Sequence, residues 1–298
     1  MLCHIILLPI IIFVNVIVTI VHEIVKTVCN WVSTVVKIIK KIVEKICSWL
    51  PWPLNKICNL VTKVIEVFET VWNWVCNTVI EKIFEAINYI LQLIVYVARV
   101  VCIIVTIVIS LPLVLLCLIG VKLPMHVRVT IKVLTDRAGN SKVTAKAIQD
   151  SMDTMRTIYR QCGIAIEFDS VERIVAPDLL LTPDSTSGFL APWHAKYSQM
   201  AFGCCNQITV FFIDDITGTS NGLTYWGDNW CRIDAGANTD PTIMAHEIGH
   251  LCSLTHNSSN ANLMFSDSGP PTNPRNTLSA AQCCWMQASP FVTGGSRG

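Results

Sequence analysis

The stretch His246-Glu247-Ile248-Gly249-His250-Leu251-Cys252-Ser253-Leu254-Thr255-His256 constrains this chain more than any other. On a helix, His246 and His250 leave the same face one turn apart, so both imidazoles can reach one metal ion. Glu247 stands beside the first of them. That offset lets its carboxylate miss the ion and exchange protons with a water activated there. His256 supplies a third imidazole only if the helix ends and the chain turns back. Three histidine nitrogens plus water make an open catalytic zinc site rather than a closed structural one. Asp240 can N-cap the helix, Pro241 suits its first position, and residues 242–251 contain no breaker except Gly249.

Asn262-Leu263-Met264-Phe265 follows shortly. The pattern HExxHxxxxxH with a Met soon after resembles the metzincin metallopeptidases, whose pattern is HExxHxxGxxH with a later Met-turn. The resemblance implies that His246, His250 and His256 bind one zinc ion, that Glu247 is the general base, and that Met264 lies beneath the metal without ligating it. Two departures stand out. Ser253 occupies the place of the glycine that permits a left-handed helix end. Ser266 stands two residues after the Met, where some metzincins carry a tyrosine, so no tyrosine switch is expected.

Residues 125–298 carry the resemblance, which implies an α+β fold: a twisted mixed sheet above the active-site helix, a C-terminal helix below, and a cleft for extended peptide. The residue pattern agrees. Residues 126–134 alternate with period two, 143–161 are amphipathic, and 164–168 predict a second strand, making a strand, helix, strand crossover in a largely parallel sheet. Residues 136–140 read as a turn, 208–213 and 231–234 as strands, and 279–286 as a final helix. Residues 176–206 read as irregular, and His194 within them as a surface residue. Asp214 and Asp215, ahead of a Gly/Thr/Ser stretch, fit either a calcium loop or a solvated turn. Gly222, Leu223, Thr224 and Tyr225 lie where metzincins keep the edge strand that pairs with substrate, which implies substrate binding by strand addition. Residues 266–276 take the position of the loop that shapes the pocket beyond the scissile bond.

Residues 1–122 are a different kind of chain, mildly basic and very apolar. Residues 1–124 hold ten Lys/Arg against six Asp/Glu, and the rest twelve against fifteen. The formal net charge of +1 points to no nucleic-acid partner. Residues 5–21 are almost wholly apolar, with neither a basic start nor a small-residue cleavage site, and so predict a membrane-inserting or buried helix. From residue 25 to 50 a heptad stripe of apolar residues predicts an amphipathic helix, broken by Pro51-Trp52-Pro53. A second such helix starts near Asn55 and repeats the first at an offset of 29, as Cys29/Cys58 and Cys47/Cys76 show, which predicts a helical hairpin. Residues 100–121 carry no charge and are long enough to span a bilayer, with Pro112 as a kink. A membrane-active or delivery domain, a soluble bundle or oligomer built through the amphipathic helices, and an inhibitory pro-region all fit residues 1–122. The 14 cysteines contain no CxxC pair and fit either disulfides or buried thiols.

Two functions from different classes follow. One is a zinc endopeptidase in residues 123–298 acting on protein or peptide, secreted or membrane-associated, an effector or toxin whose helical half meets a membrane or delivery machine. The other is a non-enzymatic membrane-inserting or pore-forming protein that carries a zinc-binding module.

Overall fold

A computed structural model describes the chain outside residues 1, 49–53, 122, 186–190, 202–206, 219, 267–274 and 295–298. The break at 51–53, Cys204 and Cys205, and most of the loop 266–276 therefore lie outside the described residues. The chain divides into two compact units, Ile10–Leu91, and Gln92–Gly298 with Met1–Pro9.

The first unit is an antiparallel helical hairpin, as the repeat predicts. One arm is α1 (Leu2–Cys47); the other is α2 (Leu54–Trp74), which a π-helical turn, Val75–Ile80, joins to α3 (Glu81–Leu118). Its register is set by a Cys29–Cys76 disulfide, a Lys40–Glu66 ion pair at 3.0 Å, and the Trp72 indole N–H donating to the Cys29 carbonyl at 3.3 Å. His22 meets the edge of Phe84 with ring centroids 5.1 Å apart. Part of the apolar stripe stays exposed, including Val28, Ile39, Ile42, Ile46 and Val64.

In the second unit the sheet order is β2-β1-β3-β5-β4. Strands β1 (Met125–Thr135), β2 (Ile164–Val175), β3 (Gln207–Phe212) and β5 (Trp230–Ile233) are mutually parallel where they pair. The edge strand β4 (Gly222–Thr224) runs antiparallel to β5, and β6 (Val292–Gly294) pairs antiparallel with the start of β1. Alternation places Val127, Val129, Ile131 and Val133 on one face, each at most 1% exposed. Against that face pack α4 (Ala145–Arg160) and α7 (Ile243–Leu251), and the Tyr159 hydroxyl fastens the two helices by donating to the Ala245 carbonyl at 2.6 Å. The predicted crossover is therefore present, with β2 running well past residue 168. Asp169 is an extra residue in that strand, a bulge opposite Val129/Thr130 that breaks the alternation the sequence shows.

The opposite face is covered by α5 (Asp178–Leu181) and α6 (Pro192–Met200), through a second cluster that includes Trp193, Tyr197, Phe211 and Trp230. This corrects the reading of residues 176–206 as irregular. Pro192 opens α6 at its first turn, where a missing N–H costs nothing, instead of breaking a helix. His194 is corrected with it: it is 6% exposed, with Nε2 2.8 Å from Asp228 Oδ2. Asp214, considered for calcium, accepts the Lys142 main-chain N–H at 2.8 Å and so ties a loop, while Thr219 lies outside the described residues.

The end of α3 belongs to this unit. Tyr96 donates to the Trp226 carbonyl at 2.6 Å, Val100 packs where a Cβ on Gly227 would fall, and a Cys117–Cys284 disulfide joins α3 to α8 (Ala280–Met286). Leu60–Leu118 is apolar and long enough to cross a membrane by length and composition. Its last part, however, is fastened at both ends, about 32 Å of helix apart, to the unit that holds the sheet. The outward side of that part, Val101, Ile104, Val108, Leu111 and Leu115, is exposed and uncharged.

A third disulfide, Cys162–Cys283, closes a 121-residue separation between the end of α4 and α8. Its replacement by two serines is expected to lower stability by about 2–5 kcal/mol, read as a lower urea midpoint at unchanged slope.

Candidate metal centre

α7 starts at Ile243 with Thr242 as its N-cap, so Asp240 and Pro241 lie in the turn before it instead of at the cap and first position expected. Asp240 braces that turn. One carboxylate oxygen accepts the Thr242 N–H at 2.9 Å and its hydroxyl at 2.6 Å, and the other pairs with the buried Arg275 guanidinium. Arg275 also donates to the Phe265 carbonyl at 3.2 Å, so it links the helix start to the segment after Met264. Nothing in the local sequence around Arg275 marks this role.

The helix ends in a Schellman turn. Ser253 has φ 67°, the one non-glycine among the described residues with left-handed backbone, and it stands where the glycine was expected. The Ser253 N–H donates to the His250 carbonyl and the Leu254 N–H to the Gly249 carbonyl, each at 2.9 Å. The reversal aims the Leu254 carbonyl at His250 and brings His256 back to the helix. The Nε2 atom of His250 lies 3.1 Å from that of His246 and 3.1 Å from that of His256.

Two of these rings are fixed from behind. His246 Nδ1 faces the Leu263 carbonyl at 2.7 Å and His250 Nδ1 faces the Leu254 carbonyl at 2.8 Å. A carbonyl oxygen only accepts, so both Nδ1 atoms carry hydrogen and both Nε2 atoms present bare lone pairs. Burial pushes His246 down to about 4 and His250 below the usual histidine range, which keeps the lone pairs free at neutral pH. Lone pairs gathered this closely repel unless a cation sits among them. Nitrogens about 2.0–2.1 Å from a tetrahedral ion stand roughly 3.3 Å apart, close to the spacing here. The three histidines thus fit a metal ion, and among the described residues they are the one such cluster of His, Cys, Asp or Glu.

Met264 is fully buried beneath the helix. A Cβ on Gly249 would fall 2.6 Å from its sulfur, which explains the glycine inside the motif: it admits the methionine. The turn is held by Asn262, whose side-chain oxygen accepts the Met264 N–H at 2.9 Å and whose amide donates to Gln282 at 2.8 Å. Gln282 in turn completes a capping box with Ser279 at the start of α8. The same loop thus orients a metal-facing histidine through Leu263 and supports the helix through Met264.

Glu247 is 6% exposed, and burial raises its carboxyl to about 7 against the opposing pull of the Thr224 hydroxyl and the Arg232 and Arg275 charges. A cation on the histidines would draw it back down. Thr224 donates to Glu247 Oε2 at 2.7 Å. Of the residues expected to bind substrate, Gly222 and Thr224 face Glu247, whereas Leu223 and Tyr225 pack into the aromatic cluster behind the strand. Arg232, beside Leu223 in register, is fully buried with its guanidinium 3.9 Å above the Trp193 ring. An arginine inside a strand gave no sign of that burial in the sequence.

No family model matches the sequence, and no curated protein matches it. Among solved structures, a metalloproteinase-II from Bacteroides fragilis overlaps 57% of this chain and 55% of its own, at 15% identity and TM-score 0.44. A chaperone–substrate complex overlaps 55% of this chain and 34% of its own, at 10% identity and TM-score 0.36. The chain therefore spans about half the length of the metalloproteinase it overlaps. Likenesses this partial assign neither family nor activity, and the metal centre stands on its own atoms.

Ser253→Gly is expected to stabilise the fold by roughly 0.5–1 kcal/mol, the relief of left-handed strain less the added freedom of the unfolded chain. A raised melting temperature with unchanged metal content checks it.

Proposed function

We propose that residues 123–298 form a zinc endopeptidase of metzincin type, with His246, His250 and His256 as metal ligands and Glu247 as general base. The observation that carries this reading is the convergence of three imidazole Nε2 atoms beside a buried carboxylate, next to a sheet edge open to an extended peptide. A zinc ion held by His246, His250 and His256 would supply Lewis acidity toward a peptide carbonyl and toward water. Glu247 takes a proton at its carboxylate and returns it to the leaving amine. Its place beside the first ligand suits it to this task, because a carboxylate there can accept a proton from water and pass it to the leaving amine. Edge strand β4 holds the peptide through main-chain hydrogen bonds. The protein or peptide substrate is the one partner this chemistry requires.

The helical region favours a membrane-associated setting. Its support is the exposed, uncharged outer side of α3 together with the exposed apolar stripe of the hairpin. Because residues 92–118 are fastened along their own unit, we place that stretch in the plane of a bilayer surface instead of across it. Flotation of the full chain with liposomes tests this, and a monomer that stays with the soluble fraction at every lipid composition would overturn it.

Glu247→Ala in the full chain is expected to keep about one zinc per chain and its melting curve, while peptide cleavage falls at least about 10²-fold. Retained cleavage by the zinc-loaded variant would overturn the peptidase assignment. A wild-type chain that binds zinc and cleaves no peptide would favour the non-enzymatic alternative. His250→Ala is expected to lose both metal and activity, read by metal analysis of the dialysed protein.

A further inference from the structure

The edge strand β4 does two things at one residue. Asp234 N–H donates to the Asn221 carbonyl at 3.0 Å, and the register continues as Gly222 with Ile233, Leu223 with Arg232 and Thr224 with Cys231. In an antiparallel pair, hydrogen-bonded positions alternate. Asn221 and Leu223 therefore turn their main-chain groups toward β5, and Gly222 and Thr224 turn theirs to the free edge. The Ser220 hydroxyl already occupies the Gly222 carbonyl. Thr224 is left as the edge position next in line for an incoming strand.

The side-chain direction at the same two residues is toward Glu247. Thr224 Oγ1 donates to Glu247 Oε2 at 2.7 Å, and it also lies 3.2 Å from the Glu247 carbonyl. At Gly222 a Cβ would fall 2.6 Å from Glu247 Oε1 and 2.7 Å from its Cγ, so the carboxylate occupies the space that any side chain there would need. The carboxylate is thus bounded on one side by a missing side chain and held by one hydroxyl. Both come from the strand that faces substrate.

We propose that Thr224 is a positioning residue, which sets the Glu247 carboxylate in register with a peptide laid on β4: its main chain meets the peptide and its hydroxyl clamps the base. This rests on the peptidase reading and adds to it. A peptide paired at Thr224 cannot slip by one residue without turning every side chain to the other face, so the reacting carbonyl and the base share one reference point. Losing the clamp removes the one hydroxyl that fixes the carboxylate while the main-chain edge remains.

The test compares wild type, Thr224→Val, Thr224→Ser and Gly222→Ala as zinc-loaded full chains. The readouts are kcat and KM on one peptide that the wild type cleaves, zinc content, and calorimetric binding of that peptide with its scissile amide reduced. Thr224→Val keeps the shape and removes the donor. It is expected to keep its zinc and its affinity for the reduced peptide while kcat falls by about tenfold to 10²-fold. Thr224→Ser should return kcat to within about threefold of wild type, and Gly222→Ala, which displaces the carboxylate from the other side, should lower kcat with zinc retained. The proposal is overturned by a near-normal kcat in Thr224→Val, by Thr224→Ser as impaired as Thr224→Val, or by a loss confined to KM. If Thr224→Val fails to fold, Thr224→Ser and Gly222→Ala decide between the same outcomes. A wild type that holds zinc but cleaves nothing fails the peptidase reading itself, which no variant is needed to see.

Discussion

The centre depends on where the chain goes after Leu251. A helix that continued would carry His256 away from His246 and His250 at 1.5 Å per residue. The left-handed backbone at Ser253 stops it, and two consequences follow from that one conformation. The Leu254 carbonyl lands on His250 Nδ1, and His256 Nε2 arrives 3.1 Å from His250 Nε2. Serine in this conformation costs about 1–2 kcal/mol, which the Schellman hydrogen bonds and the burial of Leu254 offset.

A second loop carries the remaining constraints. Leu263 orients His246 through its carbonyl, Met264 fills the hollow left by Gly249, and Asn262 connects both to the capping box of α8. Arg275 closes the circuit by joining Phe265 to Asp240 in the turn before the helix. The histidine-bearing helix is therefore supported at His246, at Gly249 and at the turn before it. A short helix of nine residues would have little stability alone, so this support is what gives the histidines fixed positions.

Burial gives the site its electrostatic character. The same removal from water lowers the two buried imidazoles and raises the neighbouring carboxyl, because each charged form loses hydration. Neutral imidazoles are what a cation needs, and a cation among them would draw the raised carboxyl back down. In the same unit, the end of α3 combines an apolar composition with ties to the sheet unit. Its apolar run meets the length requirement for a bilayer, yet Tyr96 and Cys117 fasten it along a globular surface.

Much of this was legible in the chain. The spacing of His246, Glu247, His250 and His256, the unusual Ser253 and the later Met264 are local features, and local features survive translation into structure because helix period and turn chemistry depend on near neighbours. The strands at 126–134 and 208–213 and the hairpin repeat were readable for the same reason. What the sequence could not show arose from contacts between distant segments. Arg275 finds Asp240 across 35 residues, His194 is buried against Asp228 because Pro192 starts a helix, and β2 outruns its alternation through a bulge at Asp169. The pairing of Cys29 with Cys76 and of Cys162 with Cys283, and the hydroxyl that Thr224 lends to Glu247, likewise exist only once the chain is folded. Sequence determined which groups could do chemistry, since that depends on residue type and spacing. Tertiary structure decided which of them meet, because burial and proximity belong to the packed chain alone.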